Sequence, residues 1–508
     1  MKKLRKLMES RILIVALLVV MQLVCLIELF FGLAKYQVLL QNLLNLLSLL
    51  MVLYLIRKDL APAYKIAWLL LCCMLPLLGG AMYLLFGNKR PGRRMRRRME
   101  RVDARHHDAL LPRVDVLEQL PPRRRSLSCY LQNRAAAPAA QHTQSRYYPM
   151  GQDAFADMLR DLEKAEKFIF LEYFILAEGA LWRRIFSILK RKAAAGVEVR
   201  VIYDDIGSSL HRPPHLAEEL KAAGIQVMAF NPAKPFLAFV MNHRDHRKIT
   251  VVDGRVGYTG GINIGDEYTN EIERFGVWKD TAVRLEGEAV WNLTVMFLRM
   301  WNTACPDDST FRAYRPVLNG RPLPETDGVV QPFAETPLDE ECVAEGMYLD
   351  VLAQAERYVY IYTPYLIIDQ ELMTALCLTA KRGVDVRIGV PGIPDKKMVY
   401  RLTRSYFSPL LKAGVKLYLY KPGFLHAKQV LCDDAVAMVG TINLDYRSLY
   451  LHFEDGVLFQ GGTVLEQIRA DFDSFFARDS IPVQLSDCRD GFFGHLLDDL
   501  LRLVSPMM

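Results

Sequence analysis

The sequence predicts an α/β protein of two pseudo-symmetric lobes, with the active site between them and transmembrane helices ahead of them. The first observation is a stretch that occurs twice. His246 to Asn263 reads H-R-K-I-T-V-V-D-G-R-V-G-Y-T-G-G-I-N, and His426 to Asn443 reads H-A-K-Q-V-L-C-D-D-A-V-A-M-V-G-T-I-N. His246, Lys248, Asp253, Gly260 and Asn263 match His426, Lys428, Asp433, Gly440 and Asn443 at a constant offset of 180. The second observation is a larger repeat of strand, helix, glycine and strand upstream of each copy. The third is a succession of three long apolar runs before residue 88.

A chain of 508 residues exceeds one ordinary domain. Residues 1–88 are expected to form a hydrophobic membrane anchor with segments 12–33, 38–56 and 66–87. Each is long enough to cross a hydrocarbon core about 30 Å thick. No small-residue cleavage site follows the first, so it reads as an anchor and not a signal peptide. Basic residues favour the cytoplasmic side. They flank the anchor at both ends: Lys2, Lys3, Arg5, Lys6 and Arg11 precede it, and Lys89 to Arg105 follows with nine Lys or Arg residues. Both flanks are cytoplasmic only if an even number of segments span. The second run, with Gln41, Asn42, Asn45 and Ser48, and the third, with Pro76, Gly79 and Gly80, are candidates for a re-entrant or interfacial segment. The expected location is a cell membrane, multi-pass, with the catalytic part cytoplasmic. The cluster Lys89 to Arg105 is a stop-transfer flank, a site for anionic headgroups, or both.

Residues 89–150 read as a basic linker, with Pro112, Pro121, Pro122 and Arg123 to Arg125. Residues 151–325 and 326–508 are the two lobes. In the first, Glu166 to Ile175 is a strand, Trp182 to Ala195 a helix, and V-E-V-R-V-I-Y-D-D after Gly196 a second strand. In the second, Glu356 to Ile367, Gln370 to Lys381 and V-D-V-R-I-G-V-P after Gly383 repeat the order. Such units imply parallel sheets covered by helices. Two apolar insertions precede the motifs, Phe230 to Met241 and Met398 to Leu411. They are either ordinary packing or receptors for acyl chains at the mouth of a cleft. The tail Phe492 to Leu503 is amphipathic and is expected to pack against a lobe or touch the membrane. Nine cysteines without a C-x-x-C argue against a zinc site or disulfide framework.

The repeated spacing has a chemical reason. Alternate residues of a strand face one side, so His and Lys two apart enter one cleft. An imidazole attacks phosphorus or protonates a leaving oxygen, and an ammonium binds phosphoryl oxygens. Asp253-Gly254 and Asp433-Asp434 make turns, and Gly260 and Gly440 would let backbone approach a phosphate closely. A nucleophilic imidazole also needs an acceptor on its other nitrogen. F-G-V-W-K-D-T supplies Asp280 after the first motif, and L-H-F-E-D supplies Glu454 after the second. No His or Asp cluster has metal-ligand spacing. No metal and no cofactor is expected.

Both stretches resemble the H-x-K-x4-D-x6-G-[GST]-x-N signature of the phospholipase D superfamily. N-H-R-D-H-R-K-I-T-V-V-D-G and L-H-A-K resemble bacterial cardiolipin synthases in particular, over nearly the whole chain. The resemblance implies two phospholipase D-like lobes with His246, Lys248, Asp253, His426, Lys428 and Asp433 as catalytic motif residues. It implies Asn263 and Asn443 on phosphate oxygens, with Gly260, Gly261, Gly440 and Thr441 in support. Glu454 is expected behind His246 and Asp280 behind His426. Asp253 and Asp433 themselves read as structural, since each opens the turn after its strand. The implied activity is transfer of a phosphatidyl group from one phosphatidylglycerol to another, through a covalent phosphohistidine on His246, giving cardiolipin and glycerol. The expected partners are phosphatidylglycerol and an anionic membrane surface, with no nucleic acid. Two alternatives stay open: a membrane-bound phosphodiesterase hydrolysing phospholipid or nucleic acid, and a tethered scaffold that binds anionic lipid.

Overall fold

The computed structural model describes residues 37–58, 62–83, 87, 93–232, 243–305, 310–316, 324–339, 341–488 and 491–507, with four isolated positions before residue 28. These fall into two compact units. One joins the N-terminal helices to residues 491–507, and the other comprises residues 93–232 and 243–488.

The larger unit holds both repeats, each built on one sheet. The first sheet has seven strands in the order Thr143–Tyr148, Ala282–Gly287, Val256–Gly260, Lys248–Val252, Phe168–Tyr173, Glu198–Asp204 and Gln226–Phe230. The second has eight, in the order Ser480–Pro482, Lys416–Tyr420, Asp385–Pro391, Tyr358–Tyr362, Gln429–Cys432, Val436–Gly440, Glu454–Gln460 and Val329–Glu335. The strand F-I-F-L-E-Y at 168–173 is buried at all six positions, as a strand covered on both faces must be.

The expectation of parallel sheets holds for half of each. Phe168–Tyr173, Glu198–Asp204 and Gln226–Phe230 are parallel, but Lys248–Val252 runs antiparallel beside Phe168–Tyr173. The second sheet repeats this: Gln429–Cys432 is antiparallel to Tyr358–Tyr362. The motif strand starts at the carboxyl edge of the parallel strands, with Tyr173 opposite Lys248. An antiparallel strand beginning there places its first residues where open α/β sheets bind ligands.

Helix Val290–Ala304 fills the space between the sheets. Buried side chains run without a break from Phe170, Ile249 and Val251 through Phe297 and Trp301 to Tyr360, Leu431, Phe459 and Phe472. Each such side chain contributes roughly 1.5–3 kcal/mol by leaving water, so the two repeats share one core. The other face of the first sheet buries Phe155, Leu162, Trp182, Ile185 and Leu189 from two covering helices.

The expected basic linker is corrected. Its residues form helices Arg93–Arg105, Val114–Leu117 and Pro122–Arg134 and the edge strand Thr143–Tyr148. Met95, Met99 and Val102 make one apolar helical face at spacings of four and three, and it packs on Val290–Ala304. Trp291 Nε1 donates to Ala109 O at 2.7 Å, and Arg299 pairs with Asp103 at 2.6 Å. Arginine density hid that face in composition. Arg94, Arg96, Arg97, Arg101 and Arg105 remain exposed.

In the smaller unit, the run 12–33 lies almost wholly outside the described residues. The second run is helix Gln37–Ile56. The third is interrupted: helix Pro62–Met74 stops before Pro76, which starts helix Pro76–Met82. Leu55, Tyr64, Trp68, Cys72 and Tyr83 form the core of this unit. Among the described residues no helix is long and apolar enough to cross a membrane. The multi-pass expectation therefore has no support in these helices. Helix Phe492–Val504 packs on Pro62–Met74 within this unit, which corrects its assignment to the second lobe.

Candidate active site

His246 and Lys248 lead into the first motif strand, and His426 and Lys428 into the second. All four are at least nine-tenths buried. Between His246 and Lys248, Arg247 points the other way, as strand alternation requires. It pairs with buried Glu172 and, at 3.0 Å, with Asp245.

Backbone pairing between the repeats brings the motifs together. His246 N–H donates to Phe453 O at 2.9 Å, and Phe453 N–H donates to Arg244 O at 2.9 Å. In the mirrored position His426 N–H donates to Lys279 O at 2.7 Å, beside the short parallel pairing of Gly423–Leu425 with Val277–Lys279. Each histidine is thus stitched to the residue just before the opposite repeat's carboxylate. Glu454 Oε1 and Oε2 lie 2.9 and 2.8 Å from His246 Nδ1. Asp280 Oδ2 lies 2.6 Å from His426 Nδ1. A neutral His246 held this way carries its proton on Nδ1 and its lone pair on Nε2, whereas His426 Nδ1 also lies 2.8 Å from Lys428 Nζ.

The two halves differ in charge balance. Burial pushes both imidazoles well below the usual histidine value; Glu454 opposes this at His246, and Lys428 reinforces it at His426. Burial brings Lys248 down to about 8 and Lys428 to about 7, against the pull of Glu454 and Asp280 respectively. Burial raises Asp280 to about 7 despite Lys428. Burial would raise Glu454 too, but the charge and hydrogen bond of His246 hold it well below the usual carboxylate range. Glu454 is thus held as an anion, and Asp280 is poised near neutrality. Such a site has two imidazole bases and two buried cations with little water to compete for a phosphate.

The carboxylates explain the one position where the motifs part. A Cβ on Gly261 would lie 1.9 Å from Asp280 Oδ1. At the matching position Thr441 donates its hydroxyl to Glu454 Oε2 and accepts from Asp455 N–H at 2.9 Å. One copy needs the space and the other uses the hydroxyl.

A family model described as cardiolipin synthase, PLD-like domain, matches residues 158–301 and 348–476, more than half of the chain. The chain belongs to the cardiolipin synthase family. A second model, phospholipase D-nuclease N-terminal, matches residues 46–88. Cardiolipin synthase 1 of Bacillus cereus is 35% identical over 461 residues, covering 88% of this chain and 90% of that protein. The cardiolipin synthase of Geobacillus thermodenitrificans is 36% identical over 454 residues, covering 88% and 89%. An uncharacterized protein of Streptococcus mutans is 42% identical over 464 residues, covering 90% and 99%. The fold is also that of a phosphatidylserine synthase from Haemophilus influenzae, with a TM-score of 0.58 at 15% identity over 75% of this chain and 100% of that one.

Four family-motif positions sit elsewhere than the cleft chemistry would suggest. Asp253 and Asp433 are at the far ends of the motif strands in left-handed turns, with φ of 55° and 54°. Asp253 accepts N–H bonds from Glu166, Lys167 and Phe168 at 2.7–2.9 Å. Asp433 accepts from Glu356, Arg357 and Tyr358 at 2.7–2.9 Å. They clamp the start of each central strand and do not reach the cleft. Gly260 and Gly440 are where the neighbouring strand passes: a Cβ on either would lie 2.3 Å from the oxygen of Thr281 or Asp455. The close approach is to protein backbone, in place of the expected phosphate.

Asn263 accepts from Ile175 N–H at 3.0 Å and donates to Tyr268 OH at 2.8 Å, while Asn443 Oδ1 is buried with no hydrogen-bond partner among the described residues. The insertion Phe230 to Met241 lies mostly outside the described residues. In the other, Leu402, Tyr406, Phe407 and Leu410 are buried, so that segment is mainly packing. Sequence reasoning missed His452, which sits beside Glu454, and the rings of Tyr268, Trp278 and Phe424 around His426. The letters L-H-F-E-D and F-G-V-W-K-D marked His452 and Trp278, and nothing in the sequence marked Tyr268 or Phe424.

Proposed function

We propose that the cleft transfers a phosphatidyl group between two molecules of phosphatidylglycerol. The observation that supports it is the crossed pair of histidine–carboxylate units flanked by two buried lysines, in a chain of the cardiolipin synthase family. His246 Nε2 attacks the phosphorus of the first lipid, and the bond from phosphorus to the glycerol oxygen breaks. His426, protonated for this step, gives its proton to that oxygen, and glycerol leaves. His426 then takes the proton from a hydroxyl of the second lipid's glycerol. That oxygen attacks phosphorus, the phosphorus–nitrogen bond breaks, and cardiolipin is released with Nε2 restored. Lys248 and Lys428 neutralise the equatorial oxygens, and Asn443 offers its amide to the same phosphate. Glu454 steadies the tautomer of His246. Asp280, poised near neutrality, lets His426 gain and lose a proton in turn.

The same reading attaches the smaller unit to the membrane, with the exposed arginine face of Arg93–Arg105 toward anionic headgroups on the cytoplasmic side. The test is incubation of the detergent-solubilised chain with phosphatidylglycerol alone. Cardiolipin with free glycerol supports transfer to lipid. Phosphatidic acid as the product would replace this reading with hydrolysis.

A further inference from the structure

His452 is seven per cent exposed, and among the described residues neither of its ring nitrogens has a hydrogen-bond partner. A buried polar group left unpaired is costly and calls for an explanation. Its Nδ1 lies 3.6 Å from Glu454 Oε1, beyond a hydrogen bond, and its ring centroid is 5.6 Å from that of His246. One ligand atom from each of His246, His452 and Glu454 lies within 4.8 Å of the others, and all three residues are buried. Ligands of tetrahedral zinc, at bond lengths near 2.1 Å, stand about 3.4 Å apart, and two histidines with one carboxylate are a zinc donor set. The spacing of His452 Nδ1 from Glu454 is therefore that of two ligands on one ion.

We propose that His246, His452 and Glu454 form an inhibitory zinc site within the cleft. The metal enters where the Nδ1 proton of His246 now bridges to Glu454. As the nitrogen–zinc bond forms, the Nδ1 proton leaves and a proton is taken up on Nε2, so the ring stays neutral with no net loss of a proton and Nε2 has no lone pair. The site is not needed for turnover; it removes the nucleophile. Inhibition rests on the transfer mechanism above, whereas metal binding does not. His246 lies 206 and 208 residues from His452 and Glu454, in the other repeat, which is why no spacing in the sequence brought the three together.

The experiment uses the full chain in detergent with zinc chloride alone, followed by equilibrium dialysis and metal analysis. One zinc per chain is expected for the wild type and for His426→Asn, which keeps all three ligands. His452→Asn is expected to weaken binding at least a hundredfold, and His452→Cys, which supplies another ligand, to retain it. Cobalt in place of zinc should give visible absorption of a tetrahedral site in the wild type and not in His452→Asn. With phosphatidylglycerol, zinc should lower wild-type turnover at least tenfold, reversibly on adding chelator, and leave His452→Asn at its own zinc-free rate. Equal zinc binding by wild type and His452→Asn overturns the proposal. So does stoichiometric zinc with undiminished wild-type turnover. If no variant or wild type turns over lipid, the transfer mechanism fails while the dialysis still decides the metal site.

Discussion

Exchanging the residues at the matching positions 261 and 441 tests how the site is built. A threonine at 261 places Cβ 1.9 Å from Asp280 Oδ1, whereas ordinary contact needs at least about 3.4 Å, so the carboxylate must withdraw by about 1.5 Å. Asp280 is a short side chain and can rotate away, so folding is expected to lose only about 1–2 kcal/mol, the range of mild overpacking. The 2.6 Å contact with His426 Nδ1 and the 2.9 Å bond from Thr281 N–H do not survive that shift. A displacement of this size from the productive geometry costs about 10²-fold in rate. Gly261→Thr should therefore melt within a few degrees of the wild type yet turn over phosphatidylglycerol about 10²-fold more slowly. Thr441→Gly removes one hydroxyl donor to Glu454 while His246 still holds that carboxylate, so a loss of about tenfold is expected. The assays are thermal denaturation and cardiolipin formation at saturating lipid. Near wild-type turnover by Gly261→Thr, or a larger loss in Thr441→Gly than in Gly261→Thr, would refute the argument.

The two carboxylates should also differ in their effect on stability. Glu454 titrates below its unfolded value, so it stabilises the fold above about pH 4.5, and that contribution disappears as the pH falls through the folded value. Glu454→Gln is expected to cost about 2–4 kcal/mol at pH 7 by chemical denaturation. Asp280 has the opposite sign: its folded value near 7 lies above the unfolded 3.8, so stability falls as pH rises from about 4 to about 7 and stays reduced above that. Asp280→Asn should be as stable as the wild type or more so at pH 8, while turnover drops at least 10²-fold. Asp253→Ala and Asp433→Ala each remove the acceptor of three N–H bonds, and about 3 kcal/mol of stability should be lost with kcat nearly unchanged at low temperature. With Lys248 near 8 and Lys428 near 7, kcat/KM should fall as pH rises through 7–8, because the ammonium charges are lost. The alkaline limb of kcat should lie higher, since bound phosphodiester favours the charged lysines; coincident limbs would count against the lysines as phosphate ligands.

Much of the fold and of the site was legible as local pattern. Period-two alternation put His246 with Lys248 and His426 with Lys428, and the constant offset of 180 announced two equivalent halves. Strand, helix, glycine and strand appeared where expected, because hydrophobic period and turn residues act over a few positions. Patterns with a weak local signal misled. The face formed by Met95, Met99 and Val102 was masked by arginines, whereas Pro76, singled out in the third run, does mark where that run divides into two helices. Composition likewise offered no means of telling whether Gly260 faces phosphate or the next strand.

By itself, then, the chain determined which side chains share a strand face, since backbone geometry fixes that within two residues. Only the tertiary structure decided which carboxylate serves which histidine. Glu454 lies 208 positions from His246 and Asp280 lies 146 from His426, and no periodicity spans such distances. The choice is made by two backbone bonds between the repeats, His246 N–H to Phe453 O and His426 N–H to Lys279 O, which place each acid behind the other half's base. The same folding set His452 beside Glu454 and required glycine, not threonine, beside Asp280.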